Sequence, residues 1–135
     1  MVQVATQLSV HMENRPGALA ELTEIFLTSG VNLRAISVPD TGEFGTVRVL
    51  TNDVTEAREA LSEAGMPHVA ADVLTVELPH RSGALARLVR VLAEASIVIH
   101  YAYATIGSGT DTSLCVLGVD DIHRGRDVLG KKLTD

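Results

Sequence analysis

The chain has 135 residues, 11 Lys and Arg against 17 Asp and Glu, and a formal net charge of −6 at pH 7. There is no Trp, with two Tyr, two Phe and one Cys. The acidic balance argues against a phosphate-backbone partner, and the scarcity of aromatic residues removes the stacking platforms that single-stranded nucleic acid requires. A single Cys excludes an intrachain disulfide and any CxxC metal or redox motif. No apolar run approaches the roughly 18 to 20 residues of a membrane span. The N-terminus MVQVATQLSV has neither the basic region nor the apolar stretch of a signal peptide, so the expected compartment is the cytoplasm.

An internal repeat organises the rest. Residues 8–22 read LSVHMENRPGALAEL and residues 74–88 read LTVELPHRSGALARL, identical at eight of 15 positions at an offset of 66. Val31 and Leu33 fall on Ile97 and Ile99, and beyond the next strand the offset becomes 68, placing Leu61 on Leu129. Two copies are too few for a solenoid, which needs at least three. Two units of under 70 residues are each marginal alone and are expected to share buried surface.

In chain order, each copy reads strand, helix, strand, strand, helix. Leu8, Val10 and Met12 alternate with Ser9 and His11, the period of a half-buried strand. Pro16 suits the first turn of a helix. Leu19, Leu22 and Phe26 then supply its apolar stripe, and Gly30 ends it. Strands over Leu33–Val38 and Thr46–Thr51 flank a hairpin loop at Pro39–Gly45. Asp53 or Thr55 caps a helix over Glu56–Ala64 that stops at Gly65 and Pro67.

The second copy places strands at Val73–Leu78, near Ile97–Ala104 and at Ser113–Val119. Its helices are Ala84–Ala95 and about Ile122–Lys132, the latter capped by Asp120 or Asp121, and a turn falls at residues 107–112. His68–Asp72 reads as a fourth strand of the first copy. The second copy ends too soon for one, but the offset sets Val2–Thr6 against His68–Asp72. The expected organisation is a first unit at residues 1–66 and a second at 67–135. Residues 2–6 complete the sheet of the second unit, and residues 68–72 that of the first.

The stretch Glu13-Asn14-Arg15-Pro16-Gly17-Ala18-Leu19, followed by Gly30-Val31-Asn32, resembles the ACT domain, and His80-Arg81-Ser82-Gly83-Ala84-Leu85 repeats its core. The resemblance covers almost the whole chain and is similar to stand-alone tandem ACT proteins. It implies an α+β fold of two ferredoxin-like βαββαβ units side by side, one continuous antiparallel sheet, and helices on one face. It also implies a regulatory module with no catalytic role, binding a small amino acid at the seam between paired units.

The loop chemistry agrees. A helix N-terminus offers unsatisfied N–H groups and partial positive charge, which suit an α-carboxylate. Gly17 and Gly83 allow close backbone approach, and the Asn14 amide both donates and accepts. By resemblance, the Asn14, Arg15, Pro16, Gly17 loop faces Val98 and His100 of the other unit. The His80, Arg81, Ser82, Gly83 loop likewise faces Asn32 and Arg34. Serine-sensing members of the family carry Asn at the positions of Asn14 and Asn32, and a His where this chain has Met12, so a more apolar amino acid is expected.

Each of these residues also has a plainer role open to it. The glycines serve helix entry, Asn14 a cap, Asn32 a turn, and Arg34 and His100 a solvated strand face. Asp120, Asp121 and His123 suit capping better than a metal, and Cys115 sits in an apolar strand as a core residue. No cofactor and no metal are expected. Nothing forms a nucleophile elbow or an HExxH pattern, so an enzyme is disfavoured. The partners expected are an amino acid and a metabolic enzyme or a second copy, with no nucleic acid and no membrane. A scaffold with silent ligand sites is the alternative, holding a partner on a sheet face that includes Ser9, His11, Thr75 and Glu77, or on the sheet edges.

Overall fold

A computed structural model of the chain describes residues 2–39, 42–105 and 111–133. Ten elements follow in order: β1 (Val2–Glu13), α1 (Ala18–Thr28), β2 (Leu33–Ser37), β3 (Phe44–Thr51), α2 (Val54–Glu63), β4 (His68–Pro79), α3 (Ala84–Glu94), β5 (Ile99–Ala104), β6 (Thr112–Val119) and α4 (Ile122–Lys132). The fold is α+β, two βαββαβ units with four helices and six strands in the hydrogen-bonded order β2-β3-β1-β4-β6-β5. Of the loop read at 107–112, residues 107–110 lie outside the described residues, as do Asp40 and Thr41 of the first hairpin loop.

Two compact units emerge, residues 6–71 and residues 1–5 with 72–135. In the 6–71 unit, β3 pairs antiparallel with β1 in the register Leu8–Val49 and Val10–Val47, and with β2 on its other edge. The His11 N–H donates to the Pro67 carbonyl at 3.0 Å. Leu8, Val10, Val47 and Val49 of the sheet pack with Leu22 and Phe26 of α1 and Ala57 and Leu61 of α2. The other unit repeats this. There β4 pairs β6 as Leu74–Leu117 and Val76–Cys115, and β6 pairs β5. Leu74, Val76, Cys115 and Leu117 pack with Leu88 and Leu92 of α3 and Leu129 of α4. The first residues of β1 belong to this second unit, where the Thr75 hydroxyl donates to the Gln3 carbonyl at 3.5 Å.

Three expectations about local structure are corrected. Pro16 precedes α1 rather than occupying its first turn, because Gly17 takes a left-handed conformation (φ 88°) that starts the helix at Ala18. Ala18, Leu22 and Phe26 form the buried stripe of that helix, while Leu19 is 40% exposed. Thr75 is buried at 3% exposure and is not part of an open sheet face, whereas His11 and Glu77 are exposed. The capping ambiguities resolve too: Asp53 accepts from the Glu56 N–H and Asp121 from the Arg124 N–H, both at 3.1 Å.

Three helices end in the same hydrogen-bonded pattern. After α1, the Gly30 N–H reaches the Leu27 carbonyl and the Val31 N–H reaches Phe26; after α2, Gly65 and Met66 repeat this with Ser62 and Leu61. After α3, Ser96 and Ile97 do so with Ala93 and Leu92, but the residue in the left-handed position is Ser96, at φ 59°. A side chain there strains against the backbone, which glycine avoids. Ser96→Gly is therefore expected to stabilise the chain by about 1 kcal/mol and raise the unfolding midpoint by about 3 to 5 °C in a thermal melt.

Burial of Cys115, at 2% exposure, raises its thiol pKa by penalising the thiolate. The folded thiol thus holds its proton where an unfolded one has begun to lose it. Its stabilisation is complete below the unfolded range, near pH ~8.5, and is lost as pH rises through the higher folded value. The native chain should resist a thiol reagent that labels the urea-unfolded chain fully. Cys115→Ala should flatten the fall in unfolding midpoint above about pH 8.5.

Candidate functional site

Both repeats of the Arg-x-Gly-Ala-Leu sequence build the same strand, loop and helix start. The Asn14 N–H donates to Glu43 O at 2.6 Å, Arg15 N–H to Glu13 O at 3.1 Å and Ala18 N–H to Arg15 O at 3.2 Å. In the second copy the His80 N–H donates to Asp111 O at 2.6 Å, Arg81 to Pro79 O at 2.9 Å and Ala84 to Arg81 O at 3.4 Å. Gly17 (φ 88°, ψ −13°) and Gly83 (φ 92°, ψ −14°) hold the same left-handed conformation at the N-cap. That conformation explains the glycines. A Cβ on Gly83 would meet nothing within 4 Å, and one on Gly17 only the tip of Arg15 at 4.0 Å, so a close approach within the chain is not what requires them.

A glycine at the N-cap has a further consequence. Neither α1 nor α3 has a side-chain capping hydrogen bond, whereas Asp53 and Asp121 cap α2 and α4. Asn14 does not cap α1. The starts of the two repeated helices therefore keep N–H groups and the positive end of the helix dipole available to solvent or to an anion.

Beside the first loop lies a cavity of about 160 Å³ lined by Met12 from β1, Asn14 and Arg15 from the loop, Ala18 and Leu19 from α1, and Val38, Pro39 and Thr46 around the β2–β3 hairpin. The hairpin wall was not identified from the sequence. Val38 and Thr46 read there only as strand residues and Pro39 as a loop residue, and no periodicity marks a residue as bordering a cavity. Pro16 and Gly17 of the loop are exposed, and neither lines the cavity.

Arg15 lies across the loop. Its Nη2 donates to Glu21 Oε2 at 2.9 Å, its Nε is 3.6 Å from Glu13 Oε2, and its Nη1 reaches the Pro16 carbonyl at 3.4 Å. The hydrogen bond and charge of Glu21 raise the guanidinium pKa further. Exposed to solvent, this pairing serves to orient the side chain rather than to stabilise the fold.

Asn32 sits just before β2 and Arg34 within it, both exposed and neither lining that cavity. The Asn32 backbone is clasped by Asn52: Asn32 N–H donates to Asn52 Oδ1 at 2.9 Å, and Asn52 N–H returns a bond to Asn32 O at 3.0 Å. The second unit makes the same clasp between Val98 and Asp120, at 3.1 and 3.2 Å. Asp120 is thus a backbone anchor, and the cap of α4 is Asp121. His80, Ser82, Gly83 and His100 are exposed, and Arg81 borders a hollow of about 560 Å³ with Leu78, Ala84 and Arg87. Among the described residues no three His, Cys, Asp or Glu side chains are placed to hold a metal ion. No described helix is long and apolar enough to cross a membrane.

Solved structures resemble the whole chain. Protein BT0572 from Bacteroides thetaiotaomicron shares 28% identity with a TM-score of 0.89, over 97% of this chain and 90% of that one. The ligand-free regulatory subunit of aspartate kinase from Thermus thermophilus shares the fold at 13% identity and a TM-score of 0.69, over 98% and 95% of the two chains. The corresponding subunit from Thermus flavus does so at 14% and 0.66, over 98% and 94%. No curated protein sequence matches at a significant level. The ACT domain pair model matches residues 3–134, so the repeated strand, left-handed glycine and uncapped helix described above are those of a chain that belongs to the ACT domain pair family.

Proposed function

We propose that this chain is a non-catalytic regulatory module that binds a small amino acid at the N-terminus of α1, with the equivalent start of α3 as a second, diverged site. The observation that carries the reading is the pair of helix starts left without a side-chain cap, against the Asp caps of α2 and α4. An α-carboxylate satisfies such N–H groups and is favoured by the helix dipole. Asn14 serves the ammonium group through its carbonyl oxygen. Met12 and Val38 supply an apolar wall, which selects an aliphatic side chain over serine.

Following the family resemblance, each loop works with the start of the second strand of a paired unit: Asn14 to Gly17 with Val98 and His100, and His80 to Gly83 with Asn32 and Arg34. The clasps made by Asn52 and Asp120 would set the backbone at those positions. The repeats at 1–66 and 67–135 are the two binding units of this proposal, each completed by a terminal strand of the other. The solved relatives named as regulatory subunits of aspartate kinase support a regulatory role, exercised on a metabolic enzyme of a kind yet to be identified.

Thermal unfolding in the presence of each of the twenty amino acids tests this. A ligand at about 100 times its dissociation constant adds about 2.7 kcal/mol to the stability of the folded chain, a shift of several degrees. An aliphatic amino acid is expected to produce it. Asn14→Ala removes a hydrogen bond to a charged group, worth about 1.5 to 3 kcal/mol, and should weaken binding by roughly 10- to 100-fold. No shift with any amino acid on a folded chain would overturn the proposal in favour of the interaction scaffold.

Gly17→Ala provides a second test. It forces a side chain into the left-handed region at a cost of about 1 to 2 kcal/mol and should weaken the ligand-induced shift along with the fold. An unchanged ligand-induced shift in that variant would move the site away from α1.

A further inference from the structure

The two repeats differ in one systematic respect that amino-acid binding does not use. α1 and α2 together carry five glutamates against one arginine, a net −4, whereas α3 and α4 carry six Arg and Lys against two carboxylates, a net +4. The reversal occurs at equivalent positions of the duplication. Glu21 becomes Arg87 and Glu24 becomes Arg90 at the offset of 66, and Glu63 becomes Lys131 at the offset of 68.

Each helix pair also borders a depression. Between α1 and α2 it measures about 540 Å³, with Glu21, Glu24 and Glu63 around Ile25 and Ala60. Beside α3 and α4 it measures about 560 Å³ and is walled also by β4, with Arg81, Arg87 and Arg126 beside Glu77, Leu78 and Leu133. Glu21 holds Arg15 at 2.9 Å, the Arg87 guanidinium donates to the Lys132 carbonyl at 2.6 Å, and Arg126 lies 3.8 Å from Asp127, all in exposed positions.

We propose that these two surfaces are made for each other on separate copies of the chain. The acidic α1/α2 face of one protomer docks on the basic α3/α4 face of a second. Equal and opposite charge on surfaces of matching origin favours a second copy as the occupant. A purely anionic or purely cationic partner would use only one of the two faces. Complementary potentials of this kind steer association and set its register. They also overcome the mutual repulsion of chains that each carry a net charge of −6. A two-fold pair would make the contact twice, and a head-to-tail arrangement once at each junction.

The test is sedimentation equilibrium of the full chain across salt concentration. Raising salt from about 0.01 M to about 1 M shortens the screening length from about 30 Å to about 3 Å. Self-association should weaken at least about tenfold over that range. Two variants carry the decision: Glu24→Lys with Glu63→Lys, and Arg126→Glu with Lys131→Glu. Each changes only exposed residues away from the start of α1, and unfolding melts establish that each is folded. Either variant alone should sediment as a monomer, because its altered face then carries no net charge to complement the other. Mixed in equal amounts, the two should associate, since one keeps its basic α3/α4 face and the other its acidic α1/α2 face. A wild-type chain that stays monomeric at low salt overturns the proposal. So does association of either folded variant by itself, or a mixture of folded variants that remains monomeric.

Discussion

The conformation of two glycines controls much of what this chain can do. Gly17 and Gly83 stand at φ 88° and 92°, where a side chain is costly. By occupying the N-cap they displace the Ser, Thr, Asp or Asn that would otherwise accept from the first N–H groups of the helix. The chain uses such a cap at both of its other helices, through Asp53 and Asp121. The unsatisfied helix start is thus confined to the two repeated loops. Each loop is fastened from behind by a 2.6 Å backbone hydrogen bond to the neighbouring hairpin, Asn14 to Glu43 and His80 to Asp111. A helix end that is rigidly presented yet uncapped suits an anionic group better than a flexible loop does, because no ordering cost attaches to the protein side.

Duplication preserved the frame and released the decoration. The backbone bonds of the loops, the left-handed glycines, the helix-ending pattern and the clasps of Asn32 by Asn52 and of Val98 by Asp120 recur with distances that differ by a few tenths of an ångström. These are main-chain features that many side chains satisfy, and the core positions repeat with them. What diverged lies at the surface: Asn14 of the first loop and Asn32 before β2 become His80 and Val98, and acidic helix faces become basic ones. Substitutions at such exposed positions cost little in stability, so the surface was free to diverge while the fold was kept.

The left-handed Ser96 shows where this frame tolerates strain. Its counterpart Gly30 adopts φ 73° without penalty, and the same two closing hydrogen bonds form after both helices. Tertiary packing of Leu88, Leu92 and Ile97 holds the α3 terminus in that shape whatever residue occupies it.

The repeat, its strand and helix order and the α+β class were all legible in the linear chain. Eight identities in 15 positions and a clean alternation at Leu8, Val10 and Met12 are local signals that need no third dimension. The family likeness was legible for the same reason, since its motif is a contiguous loop. Other features depend on chain segments meeting in space. Pro16 lies outside the helix because Gly17 turns the chain first. Leu19 is exposed and Ala18 buried because the helix meets the sheet at an angle that periodicity does not specify. Asp120 anchors Val98 because β5 starts beside the end of β6. The cavity beside Asn14 is closed by Val38, Pro39 and Thr46, residues 24 or more positions further along the chain. Periodicity determines which residues turn inward along one element. Only the packing of one element on another decides which of them enclose a space.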